Sequence, residues 1–197
     1  MSEPDDNVDL IRESDRGAVI VGAAILDDAV TQLLRAVFDA NKISNKQIDK
    51  MFDLSGPLSS FGSKTLVAYG FGFISKTVFE DLNRIRGLRN EFAHSSVKVD
   101  FLSPDIVESV MSLHCVKEAK EGFKAQRYSV PAGETRNEWA LQAKGYVKHS
   151  KALFAIGIQH LRLHLARQHQ AAILKAHLLR ESNNSLEGDA GNPRASG

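Results

Sequence analysis

Residues 82–95 read "LNRIRGLRNEFAHS", and within them Arg86, Asn90 and His94 fall at four-residue steps with Arg89 beside Asn90. These types suit one kind of chemistry. A guanidinium holds a phosphate or carboxylate through forked hydrogen bonds. An imidazole titrates near neutral pH and can give or take a proton. An amide can orient either group.

A helix must position them. At about 100° per residue, Val78, Leu82, Ile85, Leu88 and Phe92 form one apolar stripe. Arg86, Asn90 and His94 then form a ladder about 100° to 180° from its centre, and Arg89 lies on its shoulder, about 40° from Ile85. The plain interpretation is a solvated polar face. Two details favour use of that face. Asparagine gains little inside a helix unless its side chain is engaged. Arg89, so near the core, needs a charge partner, and Glu13, Asp15, Asp27 and Asp28 of the first helix could supply it. Arg89 and His94 are about 140° apart, so one copy alone does not aim both at a single target. A dimer, or Arg86 in place of Arg89, would resolve this.

The remaining elements are helices too. The apolar spacing predicts a first helix over 8–38 and a short one after Ser44, with Gln47 completing its cap. "DLSGPLSSFGS" is a loop, and a helix follows over 61–70. Ser75 caps the helix carrying the ladder, which runs to about Val97. "LSPD" at 102–105 starts another, with Ser103 as cap and Pro104 in the first position, running to about Gly122. "GFKAQRYSVPAGETRN" is a second loop. A long helix covers 138–180, with Phe154, Ile158, Leu161 and Leu165 as its buried stripe; Gly145 and Gly157 either break it or allow close packing. Residues 182–197 have too few apolar side chains to fold and form a disordered tail. The expectation is a single all-α domain over 8–181.

Composition excludes other classes. The only cysteine, Cys115, forbids an internal disulfide and fits a reducing compartment; it reads as a buried structural residue. The acidic N-terminus is no secretory signal, and the apolar run 17–26 is too short to span a bilayer. A cytoplasmic protein without a membrane partner is expected. Net charge is +1, yet residues 1–56 carry −5 and residues 124–181 carry +7 with five of the seven histidines. The plain explanation is an acidic N-terminal helix packed near a basic C-terminal one; the sharper one is a surface for a polyanion. No metal or cofactor is expected. His160 and His164 have ligand spacing but no acid between them, and His169 and His177 are treated alike. The glycine-rich stretches lack the Lys-Ser/Thr ending of a phosphate loop, and no serine has a hydrolase setting. "SNKQIDKMF" is the best, and weak, helix-turn-helix match, so little or no sequence-specific DNA binding is expected.

The chain resembles a known family. "ESDRGAVIVGAAILDDAV" at 13–30, "GPLSSFGSKTLVAYGFGFIS" at 56–75 and "LNRIRGLRNEFAHS" look like the mannitol operon repressor family, over roughly residues 10–115. Arg-Asn-Glu-Phe-Ala-His also matches the Arg-Asn-x3-His pattern of HEPN domains. The resemblance implies a HEPN-like helical bundle, commonly a homodimer, and a repressor-type transcriptional regulator working through protein or nucleic-acid contacts. Two alternatives follow. One is a metal-independent HEPN endoribonuclease, in which His94 moves the proton, Arg89 holds the phosphate and Asn90 orients one of them on RNA. The other is a non-catalytic dimeric module binding a nucleotide or protein. Glu13, Asp15, Arg16 and Arg86 would support the site, with Asp15 or Glu13 pairing with Arg89 or Arg86.

Overall fold

The computed structural model describes residues 10–95, 99–118 and 138–189. Helix α1 spans Asp15–Ala40. It starts later than its apolar pattern suggests because Ser14 caps it, Oγ accepting from Gly17 N at 3.0 Å. Residues 10–13 form a turn, and 1–9 lie outside the described residues. By length and composition α1 could cross a membrane. Its stripe of Ala18, Val19, Leu26, Val30, Leu33, Leu34 and Val37 is instead buried within the bundle.

Helix α2 spans Asn45–Phe52. Gln47 Oε1 accepts from Ser44 N (3.3 Å) and Oγ (2.8 Å), as the sequence signature predicts. Helix α3 spans Phe61–Gly70, capped by Ser60, whose Oγ accepts from Ser63 N at 3.0 Å. Helix α4 spans Lys76–His94. Ser75 caps it, and Ser95 ends it before the expected Val97; residues 96–98 are not described.

Helix α5, Pro104–Ser112, begins at Ser103 as expected but does not reach Gly122. The chain breaks at Leu113 and turns helical again over 114–118. The cause is tertiary. Buried Asp81 of α4 accepts the backbone N–H of His114 (2.8 Å) and Cys115 (2.7 Å), starting a new helical segment there. The expected loop over 122–137 lies outside the described residues.

Helix α6 spans Glu138–Asp189 and runs unbroken through Gly145 and Gly157. It passes the expected end at Arg180, so 182–189 is helical where a disordered tail was expected. Propagating an existing helix adds a hydrogen bond per residue and needs no apolar face. Residues 190–197 are not described. Phe154, Ile158, Leu161 and Leu165 are buried, as their spacing predicts.

Helix α1 is the hub, packed against α6, α4, α3 and α2. It runs parallel to α6. Asp15 Oδ1 meets Lys151 Nζ at 3.2 Å; Gly22 faces Phe154 and Ile158; Asp39 and His177 line one cleft. The acidic start of α1 thus lies beside a base of α6, in line with the plain explanation of the charge asymmetry. Phe101 joins the layers, with ring centroids 5.6 Å from Phe92 and 5.4 Å from Phe154. Gly157 lets α6 approach 114–118: a Cβ there would stand 3.0 Å from Cys115 Sγ and 3.1 Å from Val116 Cγ2. No strand occurs among the described residues, and the fold is the expected all-α bundle.

Candidate functional site

The core stripe of α4 behaves as its spacing predicts: Val78, Leu82, Ile85, Leu88 and Phe92 are all buried. On the helix's other faces Arg86, Arg89, Asn90 and His94 are all exposed. One expectation is overturned. Arg89 does not press on the core and needs no acid, because its long side chain turns outward. Its Nη1 donates to Asn90 Oδ1 at 3.1 Å. Asn90 is therefore engaged, and it fixes the guanidinium beside it. The Arg86 guanidinium lies against Gly62 in α3, where any side chain would displace it.

Arg16 joins this surface. Its Nη2 donates to the carbonyl of Ser95, the residue after His94, at 3.4 Å. A cation there faces the negative end of the α4 dipole. Arg16, Arg86, Arg89 and His94 thus make a row rich in hydrogen-bond donors along one exposed side of the bundle.

The expected partnership of Asp15 or Glu13 with Arg86 or Arg89 does not form. Asp15 pairs with Lys151, and its Oδ2 accepts the Phe101 N–H at 3.1 Å. The backbone carbonyl of Glu13 accepts from the same Lys151 ammonium. Ser150 Oγ donates to the Phe101 carbonyl. These contacts tie the start of α1 to α6 and to the segment before α5. They position Arg16 by fixing its helix and leave the arginines of α4 without an acid from α1.

Two buried charged groups escape a motif search. Lys64 of α3 reaches α1, pairing with Asp27 and donating to Thr31 Oγ1 at 3.0 Å. The other is Asp81. Its neighbour Glu80 also meets the next segment, through His114 Nε2 at 2.9 Å. The only signal in the sequence was a charge set beside an apolar stripe, which does not reveal the partner.

The other chemical groups lie away from this surface. Burial, with help from Asp81, pushes the Cys115 thiol up, so it is no thiolate nucleophile. No cluster of three or more metal-ligating side chains exists among the described residues. His160 Nε2 lies 3.2 Å from Glu118 Oε2. His164, one turn on, is held below its ordinary range by burial and then by His160. His169 and His177 line an open cleft of about 410 Å³ with Arg35 and Asp39 of α1. Helix α2 buries Ile48, and the loop over 53–60 separates it from α3. The turn before α2, over 41–44, is by contrast as short as that of a helix-turn-helix.

Known proteins are similar to this chain in sequence and in fold. Over 102 residues the chain is 28% identical to the mannitol operon repressor of Escherichia coli K12, covering 51% of this chain and 52% of the relative. The same figures hold for the mannitol operon repressor of Escherichia coli O6:H1. The chain spans about half the length of the curated relatives it matches. Among solved structures it is similar to the X-ray structure of the MtlR-HPr complex from Escherichia coli, with TM-score 0.56 and 19% identity. The match covers 79% of this chain and 92% of that one, and at that identity it shows the fold. The sequence profile of MtlR, the mannitol repressor, matches residues 11–178. This chain belongs to the mannitol repressor family.

Proposed function

We propose that the chain is a cytoplasmic transcriptional regulator of the mannitol operon repressor type, acting through contact with a protein. Its contact surface is the exposed row of Arg86, Arg89, Asn90 and His94, flanked by Arg16. One observation carries this reading: a protein of the same fold has been solved as a complex with HPr. The donors of the row suit an acidic or carbonyl-rich partner surface, because each arginine can make forked, charge-assisted bonds. HPr of the same organism is the partner to try first. Sequence-specific DNA reading is not part of the proposal.

A reporter driven by the operon's own promoter tests this. Replacing Arg86, Arg89 and His94 together with alanine should relieve repression while the folded protein persists at its usual level. Full repression by that variant would remove the α4 surface from the mechanism.

The ribonuclease reading retains one supporting observation, the Arg89–Asn90 contact, which suits an amide that orients a phosphate-binding guanidinium. It predicts RNA cleavage in the presence of EDTA, leaving 2′,3′-cyclic phosphate ends and lost in His94→Ala. Intact RNA after incubation with folded wild-type protein would remove it.

A further inference from the structure

Helices α3 and α4 lie antiparallel. The Arg86 guanidinium rests against Gly62 near one end, and the Tyr69 ring stacks on Phe79 near the other, centroids 4.5 Å apart. Their outer faces are therefore one surface. Leu66 stands between these two contacts and is 60% exposed. Tyr69, one turn on, is 37% exposed; Phe71, at the end of α3, is 73% exposed and stacks on Phe73. Residues 61–75, "FGSKTLVAYGFGFIS", carry a single charge, Lys64, and it is buried against Asp27 of α1. The outer edge of α3 is thus apolar, aromatic and free of charge, while the α4 row beside it consists of donors.

Size and chemistry select the occupant. Arg16, Arg86, Arg89, Asn90 and His94 are a small fraction of the roughly 20 to 30 residues a side that a stable protein contact takes. A partner seated on that row must extend past it, and across Arg86 the next surface is the edge of α3. Protein interfaces are poor in charge and rich in aromatic residues at their centre, with a polar rim around it. Tyrosine and arginine are among the side chains that carry most of the binding energy. The edge and the row divide in that way. A second copy would meet this face with its own Arg16, Arg86 and Arg89. A nucleic acid would match the arginines but leave Leu66 unused, and Tyr69 and Phe71 already stack on rings of this chain.

We propose that the protein partner seated on the α4 row also covers the outer edge of α3, with Leu66, Tyr69 and Phe71 as the apolar centre of the contact and Arg86, Arg89 and His94 as its rim. The partner then presents an apolar patch bordered by acidic or carbonyl groups. This footprint rests on the α4 reading and adds the part of the surface that charge does not mark.

The test is calorimetric titration of the full chain with HPr from the same organism. Wild type is compared with Leu66→Gln/Phe71→Gln and with the alanine triple of Arg86, Arg89 and His94. The α3 pair should weaken binding at least tenfold and leave its salt dependence in place. It should also make the heat-capacity change of binding less negative, because it removes apolar burial. The α4 triple should instead flatten the salt dependence. Circular dichroism and melting temperature should hold in the α3 pair, since both side chains are largely exposed. If that pair melts early, Leu66→Gln alone, which leaves Phe71 on Phe73, carries the same comparison. Binding lost in the α4 triple but unchanged in the α3 pair overturns the footprint and leaves the α4 reading standing. The reverse pattern, or no binding by folded wild type, overturns both. A wild-type dimer in sedimentation that the α3 pair abolishes gives the edge to a second copy. Single-stranded RNA binding that the α3 changes abolish, with HPr binding unchanged, gives it to nucleic acid. Either result overturns the footprint.

Discussion

Buried Asp81 of α4 receives the backbone N–H of Cys115 on its Oδ2 at 2.7 Å, so one carboxylate decides where the chain after α5 turns helical again. Its Oδ1 takes the N–H of His114. Removing the carboxylate leaves two amides unsatisfied beside the core. Asp81→Ala should cost about 3 kcal/mol, the scale of charge-assisted bonds lost with their partners stranded. Urea unfolding reads this directly, and a cost below about 1 kcal/mol would show that water or a neighbour replaces the cap.

Lys64 and Asp27 tie α3 to α1 in the same manner. Lys64 is almost fully buried, while Asp27 keeps about a third of its side chain exposed. Lys64→Met should destabilise by about 3 kcal/mol, because it strands Asp27, whereas Lys64→Met combined with Asp27→Leu should recover most of that loss. Equal costs for the single and double variants would show that the pair's own attraction, not the stranded charge, is what matters.

Gly157 is small because Cys115 stands over it. Gly157→Ala gains helix propensity but pushes a methyl into Cys115 Sγ, and should be net destabilising by about 1 kcal/mol. Cys115→Ala removes that sulfur and should lessen the Gly157→Ala cost in thermal unfolding, the remainder being the contact with Val116 Cγ2 at 3.1 Å. A Gly157→Ala cost unchanged in the Cys115→Ala background would place the clash elsewhere.

His164 makes stability depend on pH. Burial holds its folded pKa below the ordinary value of 6.5. The unfolded chain therefore binds more protons there, so stability rises with pH. The contribution is complete above pH 6.5 and is lost progressively as the pH falls below it. Replacing His164 with glutamine should flatten the stability profile on the acid side of neutrality. An unchanged profile would mean that another group carries the dependence.

Some of this was legible in the sequence, and the reason differs from element to element. Helix α3 is bounded by local chemistry, Ser60 at one end and the left-handed Gly72 just past the other. The start of α5 is equally local, in Ser103 and Pro104. Its end is not, because Asp81 lies over thirty residues away and nothing near Leu113 announces it. Asp15 shows the same limit: its acid character was plain, but its partner is Lys151 on the last helix and not an arginine of α4. Arg89 was misplaced for another reason. A helical wheel locates the Cα, whereas a long side chain is free to swing to Asn90. The ladder of Arg86, Asn90 and His94 was legible because four-residue periodicity is a backbone property. What binds it depends on a surface the sequence does not contain.

The exposed row should be nearly irrelevant to folding. Arg86→Ala, Arg89→Ala and His94→Ala should each change stability by no more than about 0.5 kcal/mol, since none removes a buried contact. A large loss in His94→Ala would mean that the end of α4 depends on its imidazole.

Isothermal titration of the purified full chain with HPr from the same organism shows whether the α4 surface binds that partner. Saturable binding that weakens with salt is expected. Replacing Arg86, Arg89 and His94 together with alanine should weaken it at least tenfold, about 1.4 kcal/mol. No heat from folded wild-type protein, or an affinity unchanged in the triple variant, would contradict it.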